Sequence, residues 1–213
     1  MELTTQPIKL SLVVAMNHLN RGIGINGRLP WSIPKDMKHF SRVTTYTSDP
    51  LKKNAVIMGK LTWLSIPKGL RPLPNRLNVI ISNSITKETC DANERADPDD
   101  YFIAGSFDEA VQKIVSDYSN EIENIYAIGG SQIYKNALEY PAGFLKRIYL
   151  TRVYSDIECD TFMEPDDFLD SFKLLETDEI TDKDHFNVEF NTTQVEKSSN
   201  LEYKFEIYEK KNE

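Results

Sequence analysis

Short apolar runs alternate along the chain with longer stretches in which apolar residues recur at helical spacing. The apolar runs contain few polar residues, which is typical of strands buried on both faces of a sheet. The pattern predicts strands at Ile8–Met16, Asn54–Gly59, Arg76–Ser82, Glu123–Ile128 and Arg147–Tyr154, and helices at 34–45, 60–66, 106–117 and 131–138. This alternation favours an α/β fold with a twisted, mostly parallel central sheet and helices on both of its faces.

The C-terminal part of the chain has a different pattern. Phe172–Leu175, Val188–Thr192 and Tyr203–Tyr208 read as strands without intervening helices, so we expect an antiparallel edge to the sheet. The acidic segments Asp91–Asp100 and Thr177–His185 read as solvated loops. Because no repeat or linker interrupts the 213 residues, we expect a single domain over 1–213.

Composition and charge exclude several functional classes. The chain is 40% hydrophobic and 27% charged, like an ordinary soluble globular protein. Its net charge of −8 argues against a protein that binds nucleic acid through phosphate contacts. Residues 1–90 hold 13 Lys and Arg against 4 Asp and Glu, whereas residues 91–213 hold 12 against 29. The asymmetry indicates either an anion site in the basic half or plain variation of surface charge.

Cysteine and histidine usage predicts neither a disulfide framework nor a metal site. Cys90 and Cys159 are too few for either, and the three histidines have no spacing typical of metal ligands. No run reaches the roughly 20 apolar residues of a membrane span. The apolar segment Ile8–Met16 lacks the basic flank of a signal peptide, so we expect a cytoplasmic protein with reduced thiols.

Two glycine motifs follow predicted strands. Gly22–Gly27 matches G-x-G-x-x-G, but Leu29-Pro30-Trp31 follows, so no helix opens there and a dinucleotide fingerprint is excluded. This segment is either a flexible surface loop or a mobile loop that closes over a ligand. Ile128-Gly129-Gly130-Ser131 joins a strand to a helix, as in a phosphate cradle or a tight turn. At an earlier helix start, after the strand that ends at Gly59, Lys60 and Thr62 indicate either a phosphate contact or a helix cap with a solvated lysine.

Two charged residues are candidates for ligand binding. Asp36 lies in the first turn of a helix that Pro34 opens, where a carboxylate is also favoured by the helix dipole alone. Because Phe40 shares its helix face, Asp36 could instead hold the amidine edge of a flat ring against an apolar wall. Arg76 starts a strand and could bind a carboxylate through two hydrogen bonds, or be an exposed turn residue.

Taken together and in their order along the chain, these features make the sequence resemble one family, dihydrofolate reductase, over nearly its whole length. The motifs that carry the resemblance are Gly22-Ile23-Gly24, Leu29-Pro30-Trp31, Asn54–Lys60, Thr62–Pro67, Arg71-Pro72-Leu73, Arg76–Ser82, Ile128-Gly129-Gly130 with Tyr134, Asp160-Thr161-Phe162 and Tyr203–Tyr208. The chain looks like the eukaryotic, fungal-like, monofunctional type.

The resemblance implies NADPH-dependent reduction of 7,8-dihydrofolate to tetrahydrofolate, with hydride passing to pterin C6 and a proton to N5. It implies that Asp36 pairs with pterin N3 and the 2-amino group and favours protonation at N5. Thr151 is then its hydrogen-bond partner, Trp31 holds a water beside the acid, and Leu29 belongs to the same catalytic group. The implied ligands are dihydrofolate and antifolates such as methotrexate, bound by a monomer that takes no nucleic acid, membrane or metal.

The resemblance also implies two sets of binding residues. The residues expected at the substrate are Val13, Val14, Asp36, Met37, Phe40, Ser65, Ile66, Leu73, Arg76, Ile128, Tyr134 and Thr151, with Arg76 on the α-carboxylate of the glutamate tail. The residues expected at the cofactor are Ala15, Ile23, Gly24, Leu29, Lys60, Leu61, Thr62, Ser82, Asn83, Ile128, Gly129, Gly130, Ser131, Gln132, Ile133 and Tyr134.

Several positions depart from the family pattern. Asp36 stands where eukaryotic members usually carry Glu. Asn83 and Gly105 stand where arginines usually serve the adenosine half of NADPH, and Leu61 replaces a frequent basic residue. We therefore expect Lys60, with Ser82 and amides at the helix start, to supply the preference for NADPH over NADH.

Two other functions compete with this interpretation. A reductase of the riboflavin pathway shares the fold but acts on a ribosylamino-pyrimidine, and would need neither a pterin carboxylate beside Phe40 nor Arg76. A second alternative is a paralogue that binds nucleotide or folate without turnover. Methotrexate titration distinguishes the riboflavin-pathway enzyme, which should not bind this antifolate. Oxidation of NADPH distinguishes the binding paralogue, which should not turn the cofactor over.

Overall fold

The computed structural model describes residues 8–211 except 88, 91, 93–96, 142 and 182. The strands are β1 (Lys9–Asn17), β2 (Gly22–Gly24), β3 (Lys53–Gly59), β4 (Arg76–Ile81), β5 (Tyr101–Ala104), β6 (Ile122–Ala127), β7 (Leu145–Tyr154), β8 (Thr161–Phe162), β9 (Phe172–Leu174), β10 (Gln194–Glu196) and β11 (Leu201–Lys210). The helices are α1 (Pro34–Thr45), α2 (Lys60–Ser65), α3 (Phe107–Asp117), α4 (Ser131–Leu138) and α5 (Lys183–Phe186), with 3-10 turns at Lys68–Leu70 and Pro98–Asp100.

The central sheet has the mixed architecture that the sequence predicts. Its strand order is β10-β11-β7-β1-β6-β3-β4-β5, with β9 paired to β11. The pairs from β7 through β5 are parallel, whereas β11 pairs antiparallel with β7, β9 and β10. The chain runs outward from β3 to β5, returns through α3 to place β6 between β1 and β3, and then crosses through α4 to β7.

Two hydrophobic clusters cover the two faces of this sheet. Residues of α3 and α4 pack into one cluster, and residues of α1 and α2 pack into the other. Alternation along β1 divides its side chains between them, so Leu12 and Val14 face α3 and α4, whereas Val13 faces α1. None of the helices in the described part of the chain has the length and apolar character needed to cross a membrane.

The sheet opens between β1 and β6 at the carboxyl ends of the strands. The β1–β6 pairing ends at Leu12 and Ala127, but β1 stays paired to β7 as far as Asn17. Beyond Ala127 the chain follows β3 instead, since Ile128 N donates to Ile57 O at 2.9 Å. An opening at the carboxyl ends, where the chain reverses its winding, is the usual ligand crevice of an open α/β sheet.

Several sequence predictions are wrong in detail. No strand forms at Val188–Thr192; within it only Phe190 makes an isolated bridge to Phe205, and the edge strand is β10. Thr177–His185 is not all loop, since its end belongs to α5. Much of Asp91–Asp100 lies outside the described residues. The pattern also gave no sign of β5, whose four residues follow that acidic segment directly.

The glycine segment after β1 is tied to the chain near residue 160. Strand β2 pairs with β8, and Asp160 N donates to Gly24 O at 3.0 Å. Asp160 Oδ2 accepts a 2.7 Å hydrogen bond from Asn26 N. A Cβ built at Gly22 would overlap the side chain of Cys159, so this close approach requires glycine. The segment is therefore a packed ribbon in this structure, with its two ends fixed.

Gly22→Ala should destabilise the protein by about 1–3 kcal/mol, because the added methyl group must displace Cys159. Thermal unfolding monitored by circular dichroism would measure the loss. Gly24→Ala is the matched control in the same strand, since its Cβ would meet Thr161 at an ordinary 3.4 Å. Cys159→Gly should recover part of the loss in the Gly22→Ala background. Equal melting temperatures for the two alanine variants would contradict the predicted overlap.

Candidate active site

A cleft of about 550 Å³ opens beside the N-terminus of α1. It is lined by residues 29, 31–34 and 36–38. Pro34 is the first residue of α1 and lies in the wall of the cleft. Proline suits this position because it has no N–H that would be left unsatisfied at the helix end. Leu29 and Met37 are each about half exposed, at 49% and 51%, and form its rim. The cleft therefore combines an apolar rim with the first turn of a helix.

Asp36 is the carboxylate of this cleft. Its side chain is buried, with a relative exposure of 7% for the residue. Thr151, on the middle of β7, donates a hydrogen bond from Oγ1 to Asp36 Oδ1 at 2.6 Å. The hydrogen bond that the family resemblance implies is thus present, and it joins α1 to the sheet. Among the described residues Oδ2 accepts no hydrogen bond, and Oδ1 has further acceptor capacity, so the two oxygens can accept a planar donor pair from a ligand.

Burial sets the proton affinity of this carboxylate. Desolvation raises the pKa of Asp36 to about 6, although the hydrogen bond from Thr151 acts in the opposite direction. A carboxyl group with this pKa exchanges protons near neutral pH, which suits general acid chemistry. Its negative charge also contributes, after burial, to raising the pKa of Tyr134 on α4.

Trp31 supplies a polar donor beside the acid. The residue is 7% exposed, and its indole Nε1 is buried with no hydrogen-bond partner among the described residues. A buried N–H of this kind needs a partner from a ligand or solvent molecule. Its place in the cleft wall with Asp36 therefore fits the predicted role of holding a polar atom next to the carboxylate.

Arg76 is buried, which excludes the exposed turn residue that the sequence left open. Its exposure is 3%, and NH1 donates to Thr44 Oγ1 at 2.7 Å while Nε donates to Pro74 O at 3.0 Å. The guanidinium lies over the ring of Phe40 at 5.9 Å. Burial lowers the pKa of Arg76 to about 10, so the group is still cationic at neutral pH. Its remaining N–H donors suit a carboxylate.

The double glycine forms a cradle at the opening of the sheet. Gly129 has φ +110°, and a Cβ there would lie 3.1 Å from the hydroxyl of Tyr134, so both the backbone and the packing require glycine. A cis peptide bond joins it to Gly130, which precedes α4 as its N-cap residue and provides no side-chain hydrogen bond. The first N–H groups of α4 therefore remain available, as in sites that bind phosphate. Gly59 N donates to Gly129 O at 2.8 Å and brings the start of α2 alongside.

The predicted binding residues divide between the two faces of the sheet. Those in or against the cluster on the α1 side are Val13, Ala15, Trp31, Phe40, Ile66, Leu73 and Ile128. Val14, Ile23, Ile133 and Tyr134 pack in the cluster on the other side. Alternation along β1 places the side chain of Val14 on the face opposite to that of Val13, and its contact with folate stays a prediction. Leu61, Ser65, Asn83 and Gln132 are exposed, and Gly24, Lys60, Thr62, Ser82, Gly130 and Ser131 are partly buried.

Two neighbours of the predicted residues escaped the sequence analysis. Ser84 Oγ accepts a 2.9 Å hydrogen bond from Lys60 Nζ and lies 3.4 Å from Ser82 Oγ. Thr44 orients Arg76 through its hydroxyl. Ser84 could have been noticed in the sequence, because it is the second serine after β4. Nothing in the sequence indicated Thr44, since its hydrogen bond with Arg76 joins residues 32 positions apart. Within the described residues, no group of three or more His, Cys, Asp and Glu side chains could hold a metal ion.

The cleft holds a buried carboxylate in a partly apolar wall, and the cradle presents free backbone N–H groups at a helix start, so the two can take a flat, hydrogen-bonding ligand and an anionic one. The family profile described as dihydrofolate reductase matches residues 9–197. A dihydrofolate reductase of Aedes albopictus is 36% identical over 203 residues, covering 95% of this chain and 97% of the relative. A dihydrofolate reductase of Rattus norvegicus is 35% identical over 204 residues, covering 95% and 97%. The solved Schistosoma mansoni dihydrofolate reductase superposes with a TM-score of 0.74 at 31% identity, covering 97% of this chain and 100% of that one. The chain belongs to the dihydrofolate reductase family.

Thr151→Val should raise the pKa of Asp36 above its value of about 6, because the donor that stabilises the ionised carboxylate is lost. A hydrogen bond to a charged group is worth about 1.5–3 kcal/mol, which corresponds to roughly one pH unit or more. A 13C NMR titration of the aspartate carboxyl carbons would follow the change. Thr151→Ser keeps the hydroxyl group and should titrate like the wild type. An unchanged midpoint in the valine variant would show that this hydrogen bond does not hold the carboxylate.

Proposed function

We propose that this protein reduces 7,8-dihydrofolate to 5,6,7,8-tetrahydrofolate with NADPH, in the supply of one-carbon units for thymidylate and purine synthesis. The observation that carries the proposal is the buried carboxylate of Asp36, held by Thr151 in the wall of the cleft next to the sheet opening. A pterin offers a ring N–H and an amino group side by side, which matches a single carboxylate in a forked, charge-assisted pair. Family membership supports the same substrate.

The residues of the chain then have distinct tasks. Asp36 orients the pterin and favours protonation of the pterin at N5. The N–H of Trp31 holds a water molecule beside the carboxyl group. Phe40 and Leu73 enclose the flat ring and the part of folate that follows, and exclude water from them. Arg76 binds the α-carboxylate of the glutamate tail. Bound NADPH supplies the hydride that is transferred to C6.

The cradle residues fit a dinucleotide phosphate. Gly129 and Gly130 let the backbone approach closely, and the uncapped start of α4 directs N–H groups at an anion. Ala15 and Ile128 flank the opening where a nicotinamide would meet the pterin, and the glycine segment with Leu29 covers it.

We further infer a monomer that works in the cytoplasm. Helix α1, strand β7 and the glycine cradle all come from one chain, so each task above is filled without a second copy. Both cysteines are thiols rather than a disulfide, as is usual in a reducing compartment.

The direct test is the decay of NADPH absorbance with dihydrofolate, with and without methotrexate. We expect decay that methotrexate abolishes. Decay that needs a ribosylamino-pyrimidine and ignores methotrexate would establish the riboflavin-pathway reductase instead. Tight binding of NADPH and methotrexate without decay would establish a binding protein.

Asp36→Asn should lower the rate of hydride transfer by about 10²–10⁴, because the shape is kept and the acid is lost. In the wild type the single-turnover rate should fall as pH rises through the pKa of about 6, where Asp36 loses its proton. The variant should lose this pH dependence. Circular dichroism controls for folding, and a variant with the wild-type rate and profile would show that another group supplies the proton.

Selection of NADPH over NADH should depend on Lys60 and Ser84 in place of the usual arginines. Lys60 Nζ and the hydroxyls of Ser82 and Ser84 form one cluster beyond β4, and Asn83 carries no charge. A Cβ at Gly105 would lie 3.1 Å from both Asn83 and Glu109, so a larger residue there must displace them.

Lys60→Met should raise the Kd for NADPH by about 10- to 100-fold, the worth of one hydrogen-bonded charge, and leave the Kd for NADH unchanged. Ser84→Ala should have the same selectivity and a smaller effect. Quenching of tryptophan fluorescence measures both constants without turnover. Lys52→Met removes the same charge outside the cluster and is the control for a change in net charge. Equal Kd values of the wild-type protein for NADPH and NADH would contradict the assignment.

A further inference from the structure

One side of α1 is covered by a segment that the proposed reaction does not use. Lys35, His39, Arg42 and Tyr46 recur at intervals of three and four residues, so they form one stripe along the helix and its C-terminal cap. Each of the four contacts a residue within the segment 183–194. Asp36 projects about 100° around the helix from Lys35 and faces the cleft. The stripe and the cleft are therefore adjacent sides of the same helix.

Polar contacts fix the two ends of this covering segment to α1. Arg42 donates from NH1 to the carbonyl oxygen of Phe186 at 3.0 Å. Lys35 Nζ, at the other end of the stripe, donates to Gln194 Oε1. These bonds prevent the segment from sliding along the helix.

His39 fills the middle of the stripe. It is 4% exposed, and its ring centroid lies 5.9 Å from that of Phe186, 5.8 Å from Phe190 and 4.3 Å from Phe205. Burial, together with the positive charges of Lys35 and Arg42, lowers the pKa of His39 to about 3. His39 is therefore a neutral packing residue at every pH at which the enzyme would work.

The aromatic cage is anchored to the sheet that holds the acid. Asn191 N donates to Phe205 O at 2.9 Å, and Phe190 bridges to Phe205. Phe205 on β11 is directly paired with Thr151 on β7. Thr151 in turn holds Asp36, which precedes His39 by three residues on α1. Helix, segment and sheet therefore form a closed circuit of contacts around the carboxylate.

We propose that residues 183–194 form a brace for α1, and that His39 is the positioning residue through which the brace holds Asp36 against Thr151. The proposal rests on the proposed function in so far as Asp36 is the carboxylate that binds the substrate. It also explains why Val188–Thr192 is not a strand: Phe190 is turned to the helix, and the chain forms its edge strand only after it.

Two substitutions loosen the brace from opposite sides. His39→Ala empties the cage from the helix, and Phe190→Ala empties it from the segment without changing α1. Both should lower kcat/KM for dihydrofolate by about 10- to 100-fold, as expected for a displaced reacting group. Both should weaken methotrexate binding similarly and speed amide hydrogen exchange in α1. The Kd for NADPH should stay at the wild-type value, since the cradle at Gly129 lies beyond the opening of the sheet.

Matched variants separate positioning from general loss of stability. His39→Phe refills the cage with a ring and should restore methotrexate binding and slow exchange in α1. Val195→Ala removes an exposed side chain just beyond the brace and should change nothing. Should either alanine variant fail to fold, Arg42→Leu removes the bond to Phe186 and one positive charge near His39 but leaves the rings of the cage in place. It should shift the same measurements in the same direction by less.

Wild-type methotrexate affinity and wild-type exchange in α1 in these folded variants would overturn the brace. Equal weakening of methotrexate and NADPH binding would overturn it as well, since that pattern indicates general loosening. Failure of the proposed function would give a different result, namely no methotrexate-sensitive decay of NADPH with the wild type. Amide hydrogen exchange would then still decide whether 183–194 braces α1.

Discussion

The hydrogen bond between Thr151 and Asp36 is the contact on which the site depends. It is the one described bond by which the buried carboxylate is held, and it spans from the first turn of α1 to the middle of β7. Neither residue alone has chemistry of note, since threonine is common in strands and an acid is common in the first turn of a helix. Together, in a place from which water is largely removed, they give a carboxyl group that is oriented and that titrates near pH 6.

The uneven charge of the chain becomes intelligible in the folded structure. The basic first 90 residues contribute the buried Arg76 and Lys60, the first residue of α2; under the proposed function these two cations bind anionic parts of the folate and of the dinucleotide. The acidic remainder contributes few of the described contacts in the site and much of the solvated surface. The proposed function therefore favours the anion site, one of the two interpretations of the charge asymmetry that the sequence left open.

The sequence predicted the parts of the fold that follow from periodicity, and failed where one distant contact overrides it. The helix at 34–45 and the parallel strands follow from spacing alone, and Asp36 and Gly129 were found because each follows a start or stop signal. Val188–Thr192 reads as a strand, but Phe190 packs on His39, which no local pattern encodes. Val14 illustrates a different limit of the sequence, since family resemblance places a residue near a ligand without stating which face of the sheet its side chain occupies.

The burial of Asp36 lowers the stability of the fold at neutral pH. Because burial raises the pKa of Asp36 from 3.8 to about 6, its contribution to stability is complete below about pH 4 and is lost as pH rises through 6. Above that range the ionised, buried carboxylate disfavours folding by about 3 kcal/mol. The cost falls on the first turn of α1, which would relieve it by moving the carboxylate toward water. Thr151 opposes that movement from the sheet, and contacts along the other side of the helix oppose it from 183–194. A helix that carries a buried, ionisable carboxylate in its first turn therefore needs to be held from more than one side.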